Sequence, residues 1–82
     1  MNRPEERASA WRAERTRVAI RELLLRGAPL TADELAARLD LPILYVRPRV
    51  SEMVTASRLV DSGRRGRNAS GKRAIRWMVP GR

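Results

Sequence analysis

Residues 31–57 read TADELAARLDLPILYVRPRVSEMVTAS, and this stretch decides the architecture. Thr31, followed three residues later by Glu34, forms a capping box: the hydroxyl accepts from the Glu34 amide while the carboxylate reaches back to the Thr31 amide. Leu35, Ala36 and Leu39 then make a short amphipathic helix that ends near Asp40. After Asp40-Leu41-Pro42, the residues Val46, Val50, Met53, Val54 and Ser57 recur at i, i+4, i+7, i+8 and i+11, which is one face of a second helix. Pro48 interrupts that pattern, and a proline in a helix interior costs about 3 kcal/mol. A start near Leu44 removes the conflict, because Pro48 then lies in the first turn, where amides have no intrahelical acceptor.

Upstream, Pro4 suits a first helical position and Glu5 and Glu6 follow where the helix dipole favours anions. Helical residues continue to Arg26, and Gly27 supplies a stop. Ala13, Ile20, Leu23 and Leu24 share the face that would cover the core, whereas Trp11, Val18 and Leu25 recur every seven residues on nearly the opposite one. A helix apolar on both sides wants two partners. The second stripe has two readings: Leu25 tucks beneath the bridge and Trp11 lies over the domain's own edge, or, because residues 4–26 would span about 34 Å at 1.5 Å per residue, more than two short helices need for cover, Trp11, Val18 and Leu25 form a homodimer interface. Ala28-Pro29-Leu30 is short enough to form a brief extended bridge.

Downstream the period changes to two. Leu59–Ser62 and Arg73–Val79 read as strands, the second with Ile75, Trp77 and Val79 on one face and Ala74, Arg76 and Met78 on the other; Trp77 is the expected anchor of the sheet. Residues 63–71 between them hold three Gly, one Asn and three Arg, a long basic loop. The expected fold class is therefore mostly α with a C-terminal β-hairpin. It forms one domain over residues 1–82, with an N-terminal helix at 4–26, a two-helix unit at 31–57 and a hairpin at 58–79.

Composition narrows the chemistry. The 82 residues carry 18 Lys plus Arg against 9 Asp plus Glu, a formal charge of +9, and of the basic residues only Lys72 is not Arg. With no Cys and no His there is no disulfide, no thiolate or imidazole metal site, and no Ser-His or Cys-His nucleophile. No pair of carboxylates sits where a pKa would be raised, so neither an enzyme nor a cofactor is expected. No apolar run approaches the ~18 residues of a membrane span, and the charged N-terminus lacks a signal-peptide core, so a cytoplasmic protein without a membrane partner is expected. The charge is unevenly placed: +3 over residues 1–30, −1 over 31–57 and +7 over 58–82.

Helix, bridge, helix, tight turn, helix and basic hairpin is the order of a winged helix-turn-helix domain. From Leu30 to Val79, about three-fifths of the chain, the sequence resembles the small winged helix-turn-helix DNA-binding proteins of bacteria and their phages. The resemblance rests on residues 31–39 as the first helix of the motif, Val46-Arg47-Pro48-Arg49-Val50-Ser51-Glu52-Met53-Val54 as the recognition helix, and residues 58–62 with 70–77 as wing strands. Two positions depart from the family pattern: Asp40 stands where Gly is usual in the turn, and Pro48 stands where many relatives carry a polar base-reading residue. The resemblance implies a sequence-specific double-stranded DNA-binding protein, a small transcriptional regulator, with the second motif helix in the major groove and the wing on the backbone or in the minor groove.

The residues agree. With Val50 facing the core, Leu44, Tyr45, Pro48, Arg49 and Glu52 are expected to point outward, and base readout falls to Leu44, Tyr45 and Arg49. Arg49 has the fork for guanine O6 and N7, and Tyr45 suits a thymine methyl or a phosphate. Backbone contacts fall to Arg47, Arg64, Arg65, Arg67, Lys72, Arg73 and Arg76. Two other readings fit the same pattern: a non-specific or architectural nucleic-acid binder, and a protein-interaction module that engages a partner protein through its Trp11 face.

Overall fold

The computed structural model describes residues 4–81, with side chains from Trp11 onward. Helix α1 runs Pro4–Arg26, α2 Ala32–Leu39 and α3 Ile43–Thr55; strands β1 (Val60–Arg67) and β2 (Arg73–Met78) follow as an antiparallel hairpin.

Each boundary has a local cause. The Thr31 hydroxyl accepts from the Glu34 amide at 3.0 Å and the Glu34 carboxylate accepts from the Thr31 amide at 2.9 Å, completing the capping box. Asp40 closes α2 in the left-handed region (φ 56°, ψ 46°), and the next amide, Leu41, bonds back to Ala36 at 3.0 Å. α3 ends in a Schellman motif: Ser57 is left-handed (φ 60°), its amide bonds to Val54, and the Arg58 amide bonds to Met53 at 2.7 Å. Ser57, expected on the core face of the helix, thus lies beyond its end and is exposed.

Pro48 also departs from expectation. α3 starts at Ile43 rather than Leu44, which makes Pro48 its sixth residue, inside the helix rather than in its first turn. The Leu44 carbonyl loses its amide partner there. Val46, Val50 and Met53 are all buried below the proline-bearing face, and at ~1.5–3 kcal/mol each their burial exceeds the ~3 kcal/mol penalty.

The core gathers Ile20 and Leu24 from α1, Leu35 and Ala36 from α2, Val46, Val50 and Met53 from α3, and Leu30 and Leu59 from the connections. Trp77 and Val79 pack against it half-buried. Leu30 forms the bridge anticipated from sequence: its amide and carbonyl exchange hydrogen bonds with Trp77 at 3.2 and 2.8 Å. β2 therefore lies between Leu30 and β1.

β1 extends through Arg67, well into the segment expected to be a loop, so Arg64, Arg65 and Arg67 belong to a strand. Only residues 68–72 form the tip, closed by Asn68 amide to Lys72 carbonyl at 3.0 Å and Gly71 amide to Asn68 carbonyl at 2.8 Å. Asp61 pairs with Trp77 and Arg65 with Ile75, so Ser62, Gly63 and Arg64 bulge opposite Arg76. Side chains satisfy the bulge: Asp61 accepts from the Gly63 amide at 2.8 Å and the Ser62 hydroxyl accepts from the Arg64 amide at 3.1 Å. Gly63 takes φ 84° within it, a conformation that glycine adopts without strain.

Pro48→Ala restores the missing amide and should stabilise the fold by up to about 3 kcal/mol, measured as a rise in the urea unfolding midpoint at unchanged slope.

Candidate nucleic-acid interface

Two adjacent acids in the first turn of α2 position the basic hairpin. Glu34 already caps its helix, and its two oxygens also accept from Arg76 Nε at 3.1 Å and Nη2 at 2.9 Å, a bidentate pair that ties β2 to α2. Asp33 divides its oxygens: one accepts from the Ala69 amide at the hairpin tip at 2.9 Å, the other from Arg47 of α3 at 3.4 Å. The hairpin tip and one flank of α3 therefore meet at the same carboxylate. Arg76, expected to hold DNA backbone, is instead half-buried against Glu34.

Gly66 permits this close approach. A Cβ there would lie 2.9 Å from Thr31 Cγ2 and 3.0 Å from Arg76 Nε, and Thr31 is fully buried, so it has no room to give.

The hairpin offers a concavity of about 500 Å³ lined by Arg65, Gly66, Arg67, Arg73 and Arg76. Its cations differ in availability. Arg65 forks onto Asp61 at 2.8 and 3.0 Å, and Arg67 donates to the Gly71 carbonyl at 2.9 Å. Arg64, Lys72 and Arg73 are exposed and make no side-chain ion pair among the described residues. The Arg76 hydrogen bonds hold the Glu34 carboxyl below its usual value, against the opposing effect of burial, and the Arg65 hydrogen bonds do the same for Asp61. Arg76 and Arg65 are raised by the same bonds.

α3 exposes Leu44, Arg47, Pro48, Ser51, Glu52 and Thr55. Leu44 stands 80% exposed, as expected for an outward residue. Tyr45 and Arg49 do not. Both are half-buried on the flank that meets α1, where the Tyr45 hydroxyl and Arg49 Nε are enclosed without a hydrogen-bond partner. Arg49 donates to Glu52 at 2.8 Å, Glu52 accepts from Arg17 at 2.7 Å, and Arg17 reaches Glu14 at 2.8 Å, a chain of charges joining α1 to α3. Tyr45 instead borders a groove of about 300 Å³ with Trp11, Arg15, Thr16 and Leu41. Of the three residues expected to read bases, only Leu44 is presented by this arrangement. Sequence spacing separated core from surface on α3 but was blind to α1 lying along one flank.

On α1, Trp11 and Val18 are 60% and 46% exposed and Leu25 is half-buried outside the core cluster. Among the described residues no group of acids is placed to hold a metal, and no helix is long and apolar enough to cross a membrane. No protein-family model, curated protein or solved structure matches the chain at a significant level.

Two predictions test how the hairpin is docked. The folded pKa of Glu34 lies below its ordinary value of 4.5, so its contribution is complete above that pH and is lost as pH falls through the depressed value. Thermal melts should show Glu34→Gln less stable than the parent at neutral pH, with the gap narrowing as the pH is lowered below 4.5. Gly66→Ala should cost about 1–3 kcal/mol in urea unfolding, because the added methyl has to displace Thr31 or the hairpin.

Proposed function

We propose that this chain is a winged helix-turn-helix protein that binds double-stranded DNA and acts as a small transcriptional regulator. α2 and α3 are the motif helices, the β1–β2 hairpin is the wing, and α3 enters the major groove while the wing follows the backbone or minor groove. The observation that carries this reading is Asp33, whose two oxygens gather the wing tip and Arg47 of α3 onto one side of the molecule. A helix flank and a cationic ribbon are thereby held next to one another, the two parts that a winged helix-turn-helix protein lays in a groove and along the flanking phosphates.

The roles follow from what each side chain is free to do. Arg64, Lys72 and Arg73 supply phosphate contacts, with Arg67 released from a single carbonyl bond. Arg47 gives up only a long, exposed contact with Asp33 and so serves as a clamp at the edge of α3. Base contact falls to Leu44, against thymine methyls, and to the Ser51 hydroxyl. Arg49 reaches a base only by leaving Glu52.

The uncharged centre of the α3 face, Leu44, Pro48, Ser51 and Thr55, favours a second reading, in which the wing supplies nearly all affinity and sequence is barely read. Selection from randomised duplexes, followed by titration of the enriched and a scrambled duplex against salt, separates the two. A specific regulator should hold a ratio of at least ~10³ at ~0.15 M salt, whereas equal affinities overturn sequence reading. Replacing Arg64, Lys72 and Arg73 together by Ala should weaken all duplexes alike and lower the salt slope by up to about 3. An unchanged slope removes the wing from the interface.

A further inference from the structure

The face of α1 opposite the core carries more than an apolar stripe. Trp11, Val18 and Leu25 succeed one another every second turn, and the exposed residues beside them alternate in sign: Arg15 and Glu22 on one side, Glu14 and Arg21 on the other. Each of these pairs straddles Val18, as Trp11 and Leu25 do. That symmetry has a geometric meaning. When two identical helices pack antiparallel about a two-fold axis, the left and right sides of the stripe stay matched, and each residue meets one on the same side that lies beyond the axis by the same distance to within a residue, about 1.5 Å.

We infer that α1 is the interface of an antiparallel homodimer with its two-fold axis at Val18. In that register Trp11 covers the partner's Leu25, Arg15 meets the partner's Glu22, and Glu14, which Arg17 engages through Oε2 alone, turns its other oxygen to the partner's Arg21, each contact made twice. A parallel pairing in register stacks Trp11 on its own copy at one end and Leu25 on its own at the other, whereas the antiparallel register sets the large ring against the smaller aliphatic side chain at both ends. Arg15 is held near the seam, its guanidinium 4.6 Å from the Trp11 ring centroid, so the cation needed opposite Glu22 is already placed beside the apolar anchor. Arg21 and Glu22 make no side-chain ion pair among the described residues, and are available to a partner. Residues 11–25 form a seam of about 22 Å at 1.5 Å per residue, which is short for a permanent interface and suits one that forms and dissociates.

The register is tested by charge exchange on the full chain, read by sedimentation equilibrium without nucleic acid, so the outcome does not depend on the DNA-binding proposal. The parent should show a concentration-dependent mass approaching twice that of the monomer. Glu22→Arg sets like charges together and should raise the dimer dissociation constant about tenfold or more. The double variant Arg15→Glu with Glu22→Arg restores opposite charges across the seam and should recover most of the loss. Circular dichroism of each variant confirms that the monomer remains folded. A parent that stays monomeric at about 100 µM overturns the proposal, as does a double variant that associates no better than Glu22→Arg alone.

Discussion

The Glu34 carboxylate is the point on which the arrangement turns. It accepts the Thr31 amide and so starts α2, and it accepts the Arg76 fork and so sets where the hairpin lies. One side chain thereby joins a local decision, where a helix begins, to a tertiary one, where a sheet docks. Arg76 is adjacent to Trp77, whose backbone bridges Leu30 and whose ring packs on the core. Two consecutive residues of β2 thus fasten the hairpin, one by charge and one by apolar contact. Gly66 from β1 then closes against the same corner, since nothing larger fits beside Thr31.

Five of the nine acids of this basic chain are spent on construction. Glu14, Asp33, Glu34, Glu52 and Asp61 each hold an arginine, and four of those contacts join parts of the chain that are separate elements or opposite limbs of a bulge. Exposed pairs of this kind contribute little stability singly, typically 0.2–1 kcal/mol, so their effect here is mainly one of direction. They choose which cations are held and which stay outward. Net charge measures attraction to polyanions only after this internal pairing is subtracted, and what survives on the hairpin is Arg64, Lys72 and Arg73, with Arg67 loosely engaged.

Local signals were legible in the sequence. The capping box, the α1 boundaries, the core faces of α1 and α3 and the Leu30 bridge are set by neighbours within a few residues or by simple periodicity, and they stand as read. Three readings failed where long-range packing overrode local preference. Pro48 is carried inside α3 because burial of Val46, Val50 and Met53 outweighs one lost hydrogen bond. The Gly- and Arg-rich segment after Ser62 is a poor strand former, yet β2, held by Arg76 and Trp77, supplies a ladder for it to join. Arg49 and Tyr45 turn toward α1 because Arg17 and Glu52, 35 residues apart, are brought together only by the fold. An angle around one helix axis says which residues leave the core, not which neighbour receives them.

β1 has β2 on one side and open solvent on the other, so it presents a row of unpaired backbone groups of the kind that invites a strand from another molecule. Its own sequence resists this. The bulge at Ser62–Arg64 breaks the regular spacing such a visitor would need, and Arg64, Arg65 and Arg67 add like-charge repulsion between any two copies brought edge to edge. The same residues that make the hairpin cationic thus guard it against stacking into fibres at high concentration.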